Sequence, residues 1–312
     1  MVKTAVLMAT YNGSQFIEKQ LDSIRKQTLA PDYVLMRDDC STDDTVEVVK
    51  NYIQRYNLSG WSIQKNEPNL GWRLNFRQLM LDVVSYDVDY VFFSDQDDIW
   101  YFDKNERQVT VMEERTDIDL LSADIDIEVT EQEATVPNNF EFTDRENQLS
   151  QYPKDFSYHN YRQGWTFCLR KTFLDIVVKY YTEELITSHD NLMAGISGIL
   201  ETGYNLNQPV GLHVRHGGNA SGNILGLHSN HARHIAELHI VKSYYQVLVP
   251  VLREKKSLAL SKAQAYLDFN RRRLTNAKQK KFFATLTQMV TDGNYYDSLT
   301  NRLRDAIFLF KK

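Results

Sequence analysis

The sequence predicts an α/β protein, with a mostly parallel sheet whose strands alternate with helices and a helical C-terminal extension after it. Three observations predict this. Apolar runs of strand length alternate with segments that are apolar at helical spacing through Ser94. The run Tyr90–Ser94 is apolar almost without interruption, as a strand covered on both faces must be. From Leu227 onward the pattern is helical throughout, with no strand-like alternation.

Each element has its own signal. Lys3–Ala9 is a short apolar run, broken by Asn12-Gly13-Ser14, after which Ile17, Leu21 and Ile24 fall on one helical face. Tyr33–Met36 reads as the second strand. Ser41-Thr42-Asp43-Asp44 then opens a helix with capping hydroxyls and acids where the helix dipole favours them. Val46, Val49 and Ile53 are its expected buried stripe. Trp61–Gln64 is the third strand, Phe76, Leu79, Met80 and Val83 mark a third helix, and Tyr90–Ser94 is the fourth strand. After Asp119–Ile125 the pattern loosens, and residues 128–160 read as a polar insertion or lid. Order returns at Trp165–Leu169 and in a helix carrying Phe173, Ile176, Val177 and Tyr180.

The bulk numbers exclude several classes. An apolar content of 42% with 25% charged residues is that of a globular chain, not a disordered one. Two cysteines, Cys40 and Cys168, are too few for a disulfide framework and fit a reducing compartment. Met1 to Thr10 reads as a strand rather than a signal peptide, and no apolar run is long enough to span a bilayer. The expectation is a cytoplasmic chain, held at the inner face of a membrane only through a surface patch. Charge is unevenly distributed: Leu227–Lys312 holds 16 Lys+Arg against 6 Asp+Glu, leaving 20 against 35 for residues 1 to 226. The expected division is therefore an acidic α/β body at 1–226 and a basic helical extension at 227–312.

Chemistry concentrates where the fourth strand ends, in Asp95, Asp97 and Asp98. In an extended segment Asp95 and Asp97 point to the same side. Open α/β sheets bind ligands at the C-terminal ends of their strands. Ionised acids this close repel one another unless something positive compensates, and hard oxygen ligands suit Mg²⁺ or Mn²⁺. The competing reading is a solvated turn that caps the next helix. Two further polar loops, ATYNG (Ala9–Gly13) and RDDCSTDDT (Arg37–Thr45), end strands on the same edge.

ATYNG, DDCSTDDT, NLGWRLNF and SDQDDIW, in this order, resemble the family-2 glycosyltransferases of the GT-A fold over residues 1 to 225. The resemblance implies roles by position. Thr10, Tyr11, Asn12 and Asp39 would hold the base and ribose of a nucleotide. Asn69 and Arg73 would line the nucleotide-sugar cleft, against the alternative of a helix start and a solvated side chain. Asp97 would be the direct metal ligand, with Asp95 nearer the ribose. GWTFCLRK resembles the acceptor-side segment, giving Gly164 and Trp165, and HDNLMAG resembles the segment that carries the base, giving Asp190. Asp190 also reads as the N-cap of a helix over Asn191–Leu200, and both roles can coexist. VRHGGNASG resembles a late loop of bacterial rhamnosyltransferases, in which His216 would close over metal and diphosphate; a structural hydrogen bond is the other reading. The cluster His228, His231, His234 and His239 reads as a solvated helix face.

Basic residues of the extension, among them Arg271-Arg272-Arg273 and Lys280-Lys281, are interleaved with aromatic and aliphatic ones. They read either as an anchor to an anionic membrane surface or as the wet face of helices packed on the core or on a second copy in a homodimer. A nucleic-acid partner is not adopted, because it leaves the four ordered motifs unexplained. A nucleotidyltransferase would carry a Gly-rich basic loop after the first strand, which ATYNG is not. The function implied is a metal-dependent inverting glycosyltransferase. Its preferred donor is dTDP-L-rhamnose and its acceptor a cell-surface polysaccharide or lipid-linked glycan. The alternatives are a UDP-hexose or UDP-N-acetylhexosamine donor, or a non-catalytic nucleotide-sugar or glycan-binding protein.

Overall fold

The computed structural model describes residues 2–129, 140–142, 144, 146–158, 161–215 and 230–311. The chain divides into two compact units, one of Met1–Lys154, Asn160–Lys179 and His189–Asn219, the other of Asp155–His159, Tyr180–Ser188 and Ala220–Lys312.

The first unit is built on one mixed sheet of nine strands among the described residues. Strands β1 (Thr4–Thr10), β2 (Tyr33–Asp38), β3 (Trp61–Lys65) and β4 (Tyr90–Ser94) lie parallel in the order β3-β2-β1-β4. Helices α1 (Ile17–Arg25), α2 (Thr45–Tyr56) and α3 (Trp72–Asp82) make the crossovers. Every residue of β4 is buried, as its continuous apolarity requires. Ile17, Leu21 and Ile24 of α1 are fully buried, the face their spacing marks. On α2 the buried row is Thr45, Val49 and Tyr52, not Val46, Val49 and Ile53. Tyr52 turns inward because its hydroxyl donates to Asp22 (2.5 Å) and accepts from Arg25 (2.9 Å).

Past β4 the sheet changes direction, which the sequence pattern did not announce. Strands β5 (Ile99–Trp100), β7 (Leu149–Gln151) and β8 (Cys168–Arg170) are two or three residues long and pair antiparallel. Strands β6 (Leu120–Val129) and β9 (Gly203–Arg215) are long and pair parallel, with register shifts around Asp124. Helices α4 (Lys104–Glu114), α5 (Lys171–Lys179) and α6 (His189–Ile199) complete the unit. The segment expected to be an insertion is anchored where it is described: Phe142, Tyr152 and Tyr161 are buried in one aromatic group, and Arg162 pairs with Asp124 at 2.8 Å. Residues 130–139 lie outside the described residues.

Lys104 is buried in this unit without a carboxylate. Its Nζ sits 4.0 Å from the Trp100 ring centroid and 4.4 Å from that of Phe92, and donates to Gln108 Oε1 at 2.9 Å. Burial pushes its ammonium down to about 7 from the ordinary 10.5. Between those values the unfolded chain holds a proton that the folded chain lacks, so stability rises with pH by up to about 1.4 kcal/mol per unit. Lys104→Met removes that slope. Urea midpoints of variant and wild type will therefore differ most below about pH 7 and converge toward about pH 10.5; parallel curves would contradict the assignment.

The second unit carries helices α7 (His231–Glu254), α8 (Leu260–Lys278), α9 (Phe282–Thr291) and α10 (Leu299–Ile307). Leu238, Leu274 and Ala277 form an apolar cluster between α7 and α8. Several basic side chains face inward. Arg304 pairs with Glu237 at 2.6 Å, and Arg273 grips Asp305 through two nitrogens at 2.7 and 2.8 Å. Burial alone would raise the Asp305 carboxyl, but the Arg273 charge and its two hydrogen bonds, with His234 close by, hold it well below the carboxylate range. His234 corrects the expectation of a solvated histidine face: it is buried, stacked on Phe308 and 3.4 Å from Asp305. No helix among the described residues is long and apolar enough to cross a membrane.

Candidate active site

Parallel register delivers three loops to one edge. Thr10 pairs with Asp38 and Met8 with Ser94, so β1, β2 and β4 end side by side. The loops that follow begin at Tyr11, Asp39 and Asp95, and they fasten one another. The Gln96 side chain donates to the Tyr11 carbonyl and accepts from its N–H, both at 2.9 Å. Asn12 takes the left-handed conformation with φ 47°, its N–H donating to Ser41 Oγ while its own Oδ1 accepts from the Thr42 N–H. At Gly13 a β-carbon would lie 2.2 Å from Gln96 Oε1, whose position the Tyr11 bonds fix. The Tyr11 ring stays exposed above this braced backbone.

Asp39 is more heavily engaged than a ribose ligand need be. Its carboxylate accepts from Asn66 Nδ2 (3.0 Å), Leu70 N–H (2.7 Å) and Gly71 N–H (2.8 Å), tying down the start of α3. Three donors leave about one lone-pair direction of the carboxylate for a ligand. Asn69 donates to the Asp39 carbonyl at 2.6 Å, so it too braces the loop. Arg73 lies over the Trp72 ring at 4.1 Å, and its buried Nε has no hydrogen-bond partner among the described residues.

The acid loop runs from Asp95 into β5. Burial, then the charges of Asp98, Asp97 and Asp190, raise the Asp95 carboxyl well above its ordinary range. Asp190 is thereby placed in the field of the acid loop. It lies in the first turn of α6, with Oδ1 accepting from the Asn191 N–H at 2.9 Å. The helix begins two residues earlier than the sequence spacing suggests, so Asp190 sits inside the turn rather than before it.

Asp98 turns inward. Pairing of β5 with β9 brings His213 against it, Nδ1 to Oδ1 at 2.6 Å, and His213 Nε2 lies 3.4 Å from Arg215. Burial pushes the Asp98 carboxyl up to about 6 although the His213 hydrogen bond opposes it. Its Oδ2 is buried with no hydrogen-bond partner among the described residues. Sequence reasoning missed this pair; the alternation of Gly211, His213 and Arg215 on one face of a strand was the available signal.

The remaining expected residues fall on two sides of this cluster. Trp165 is buried and stacked on His213, with ring centroids 6.2 Å apart. Gly164 abuts α6, where a β-carbon would lie 2.4 Å from His189 Nε2 and 3.4 Å from Asp190 Cβ. His189 cannot easily yield, because its ring stacks on Phe76 at 3.8 Å and meets Phe93 edge-on at 4.8 Å. Burial and the Arg73 charge hold it neutral, pushed down to about 3. Gly164→Ala is expected to cost about 1–3 kcal/mol by overpacking. A melting curve beside that of the wild type checks this. His216 lies outside the described residues. Among the described residues no group of three His, Cys, Asp or Glu side chains is arranged to hold a metal ion.

Comparison with known proteins agrees with this architecture. Residues 5–175 match the family described as Glycosyl transferase family 2. The chain is 44% identical over 101 residues to the dTDP-rhamnosyl transferase RfbG of Shigella flexneri, covering 31% of this chain and 34% of that protein. It is 32% identical over 126 residues to the UDP-Gal:alpha-D-GlcNAc-diphosphoundecaprenol beta-1,3-galactosyltransferase of Escherichia coli, covering 39% of this chain and 43% of that one. These matches span well under half the length of either relative. Among solved structures, S. aureus TarS 1-349 in complex with UDP-GlcNAc aligns over 98% of this chain and 91% of its own, with a TM-score of 0.61 and 17% identity. GalNAc-T7 with UDP, GalNAc and Mn²⁺ aligns over 86% of this chain and 50% of its own, with a TM-score of 0.54 and 14% identity. The fold is thus that of the GT-A glycosyltransferases, in a mixed α/β form followed by C-terminal helices. With more than half of its length matched to one profile and its polar loops gathered at one sheet edge, the chain belongs to glycosyl transferase family 2.

Proposed function

We propose that the chain is a divalent-metal-dependent, inverting glycosyltransferase that moves a sugar from a nucleoside diphosphate onto a hydroxyl of a glycan acceptor. The observation that carries this is the convergence of Asp95, Asp97, Asp98 and Asp190 on one field, which raises Asp95 well above its usual range. Acids crowded this way call for a cation. Asp97 would hold Mg²⁺ or Mn²⁺, with Asp95 beside it and the remaining positions left for phosphate oxygens and water. When bound, such an ion neutralises charge that develops on the departing diphosphate.

The chain's own groups do the rest. The exposed Tyr11 ring and the braced backbone of residues 10–12 receive the base, and the one open direction of Asp39 faces the ribose. Arg73, with its unpartnered Nε, is suited to the donor's anionic groups. Asp190 accepts the proton of the acceptor hydroxyl as it attacks the anomeric carbon from the face opposite the leaving group. One displacement inverts the configuration. Residues 1–226 form the catalytic domain in this reading, with 227–312 as the extension.

The preferred donor is dTDP-L-rhamnose, on the strength of the similarity to RfbG. The acceptor is a growing surface polysaccharide or lipid-linked glycan, in keeping with the diphosphoundecaprenol-linked substrate in the name of the E. coli relative. Such a donor and acceptor meet at the cytoplasmic face of a membrane. A UDP-sugar donor is the second reading, favoured by the fold likeness to the TarS complex. A melting-temperature panel of nucleotide sugars with Mn²⁺ separates them, because a ligand of the native state alone raises its melting point. Stabilisation by dTDP-rhamnose and not by UDP-sugars is expected; the reverse overturns the donor.

A further inference from the structure

We propose that the outer face of α9 and α10 docks on a membrane surface that bears anionic phospholipid. The two helices run antiparallel. At one end the Phe282 and Phe310 rings meet with centroids 5.3 Å apart, and at the other a β-carbon on Gly293 would lie 3.2 Å from Arg302 Nη1. Both bury one face: Thr285 and Gln288 on α9, Arg304, Asp305 and the following Phe308 on α10.

The opposite face of each is apolar. Leu299, Leu303 and Ile307 recur every fourth residue along α10, and Phe283 and Val290 stand two turns apart on α9. Phe283 is 81% exposed, Val290 76%, Phe310 72% and Leu299 68%. So much large apolar surface on two adjoining helices marks an interaction site rather than ordinary scatter.

Charge selects the occupant. Lys280 and Lys281 are exposed just before α9, and Lys311, lying over the Phe308 ring, follows α10 at that same end. Arg302 stands at the other end. Of the three acids between Lys278 and Lys311, Asp305 is buried against Arg273, Asp292 is paired with Arg272, and Asp297 is exposed. An apolar face with cationic ends suits the headgroup boundary of an anionic leaflet, where each basic side chain strengthens binding about fivefold. A second copy of this chain fits less well, because either relative orientation brings positive ends together.

Flotation of the whole chain with phosphatidylcholine vesicles, with and without phosphatidylglycerol, tests the proposal. Binding is expected to be about tenfold or more stronger to the anionic vesicles and to fall at high salt. Val290→Gln with Leu299→Gln should weaken binding about tenfold without lowering the melting temperature, since both side chains face outward. Lys280→Gln with Lys281→Gln should weaken it about 25-fold on anionic vesicles only. Equal binding to neutral and anionic vesicles, no binding to either, or full binding by the Val290/Leu299 variant overturns the proposal. So does a sedimentation profile in which the wild type dimerises and that variant does not.

Discussion

Asp190→Asn will lower sugar transfer by about a thousandfold while donor affinity changes by less than about twofold. Asparagine keeps the oxygen that accepts from the Asn191 N–H, so α6 retains its first turn. What it loses is the ability to take a proton, and a positioned general base is worth about 10²–10⁴ in rate. The loss should appear in kcat, because in the proposed role Asp190 acts on the acceptor hydroxyl and not on donor binding. Titration calorimetry with the donor beside steady-state kinetics checks both halves. The result also separates an enzyme from a non-catalytic sugar-nucleotide binder, in which wild type and variant would be equally inert.

Asp97→Asn is expected to reduce transfer by about a hundredfold or more and, unlike Asp190→Asn, to abolish the metal dependence of donor binding. Asp98 cannot replace it, being turned inward on His213. EDTA should bring wild type down to the level of the variant, and excess Mn²⁺ should restore wild type alone. Donor affinity measured with and without Mn²⁺ in both proteins checks this; an unaltered metal response in Asp97→Asn would remove it as ligand.

Much of this was legible in the sequence because the signals were local. Tyr90–Ser94 is apolar along its whole length and is buried along its whole length. Ile17, Leu21 and Ile24 occupy one helical face and that face is the inner one. The loops ending β1, β2 and β4 share an edge because parallel strands must bring their C-terminal ends together. What escaped is non-local. Strands β5, β7 and β8 are two or three residues long, too short for period-two alternation to register, and their pairing depends on partners far along the chain. That pairing puts His213 on Asp98, 115 residues away in sequence. His189 likewise looks like an ordinary residue before a candidate base until Phe76 and Phe93 are seen to enclose it. Asp39 reads as a free ribose ligand in sequence, yet a fold in which Leu70 and Gly71 return to the second loop draws on most of its carboxylate. The charge asymmetry of residues 227–312 was visible, but not its division. Arg273 and Arg304 are spent on internal ion pairs, while Lys280 and Lys281 remain at the surface.

The most direct measurement is anomalous diffraction from crystals grown with Mn²⁺ and the nucleoside diphosphate of the preferred donor. The account predicts a manganese peak within coordination distance of Asp97, beside Asp95, with the diphosphate on it and the base over the Tyr11 loop. A nucleotide bound elsewhere, or a peak that leaves Asp97 untouched, would contradict it.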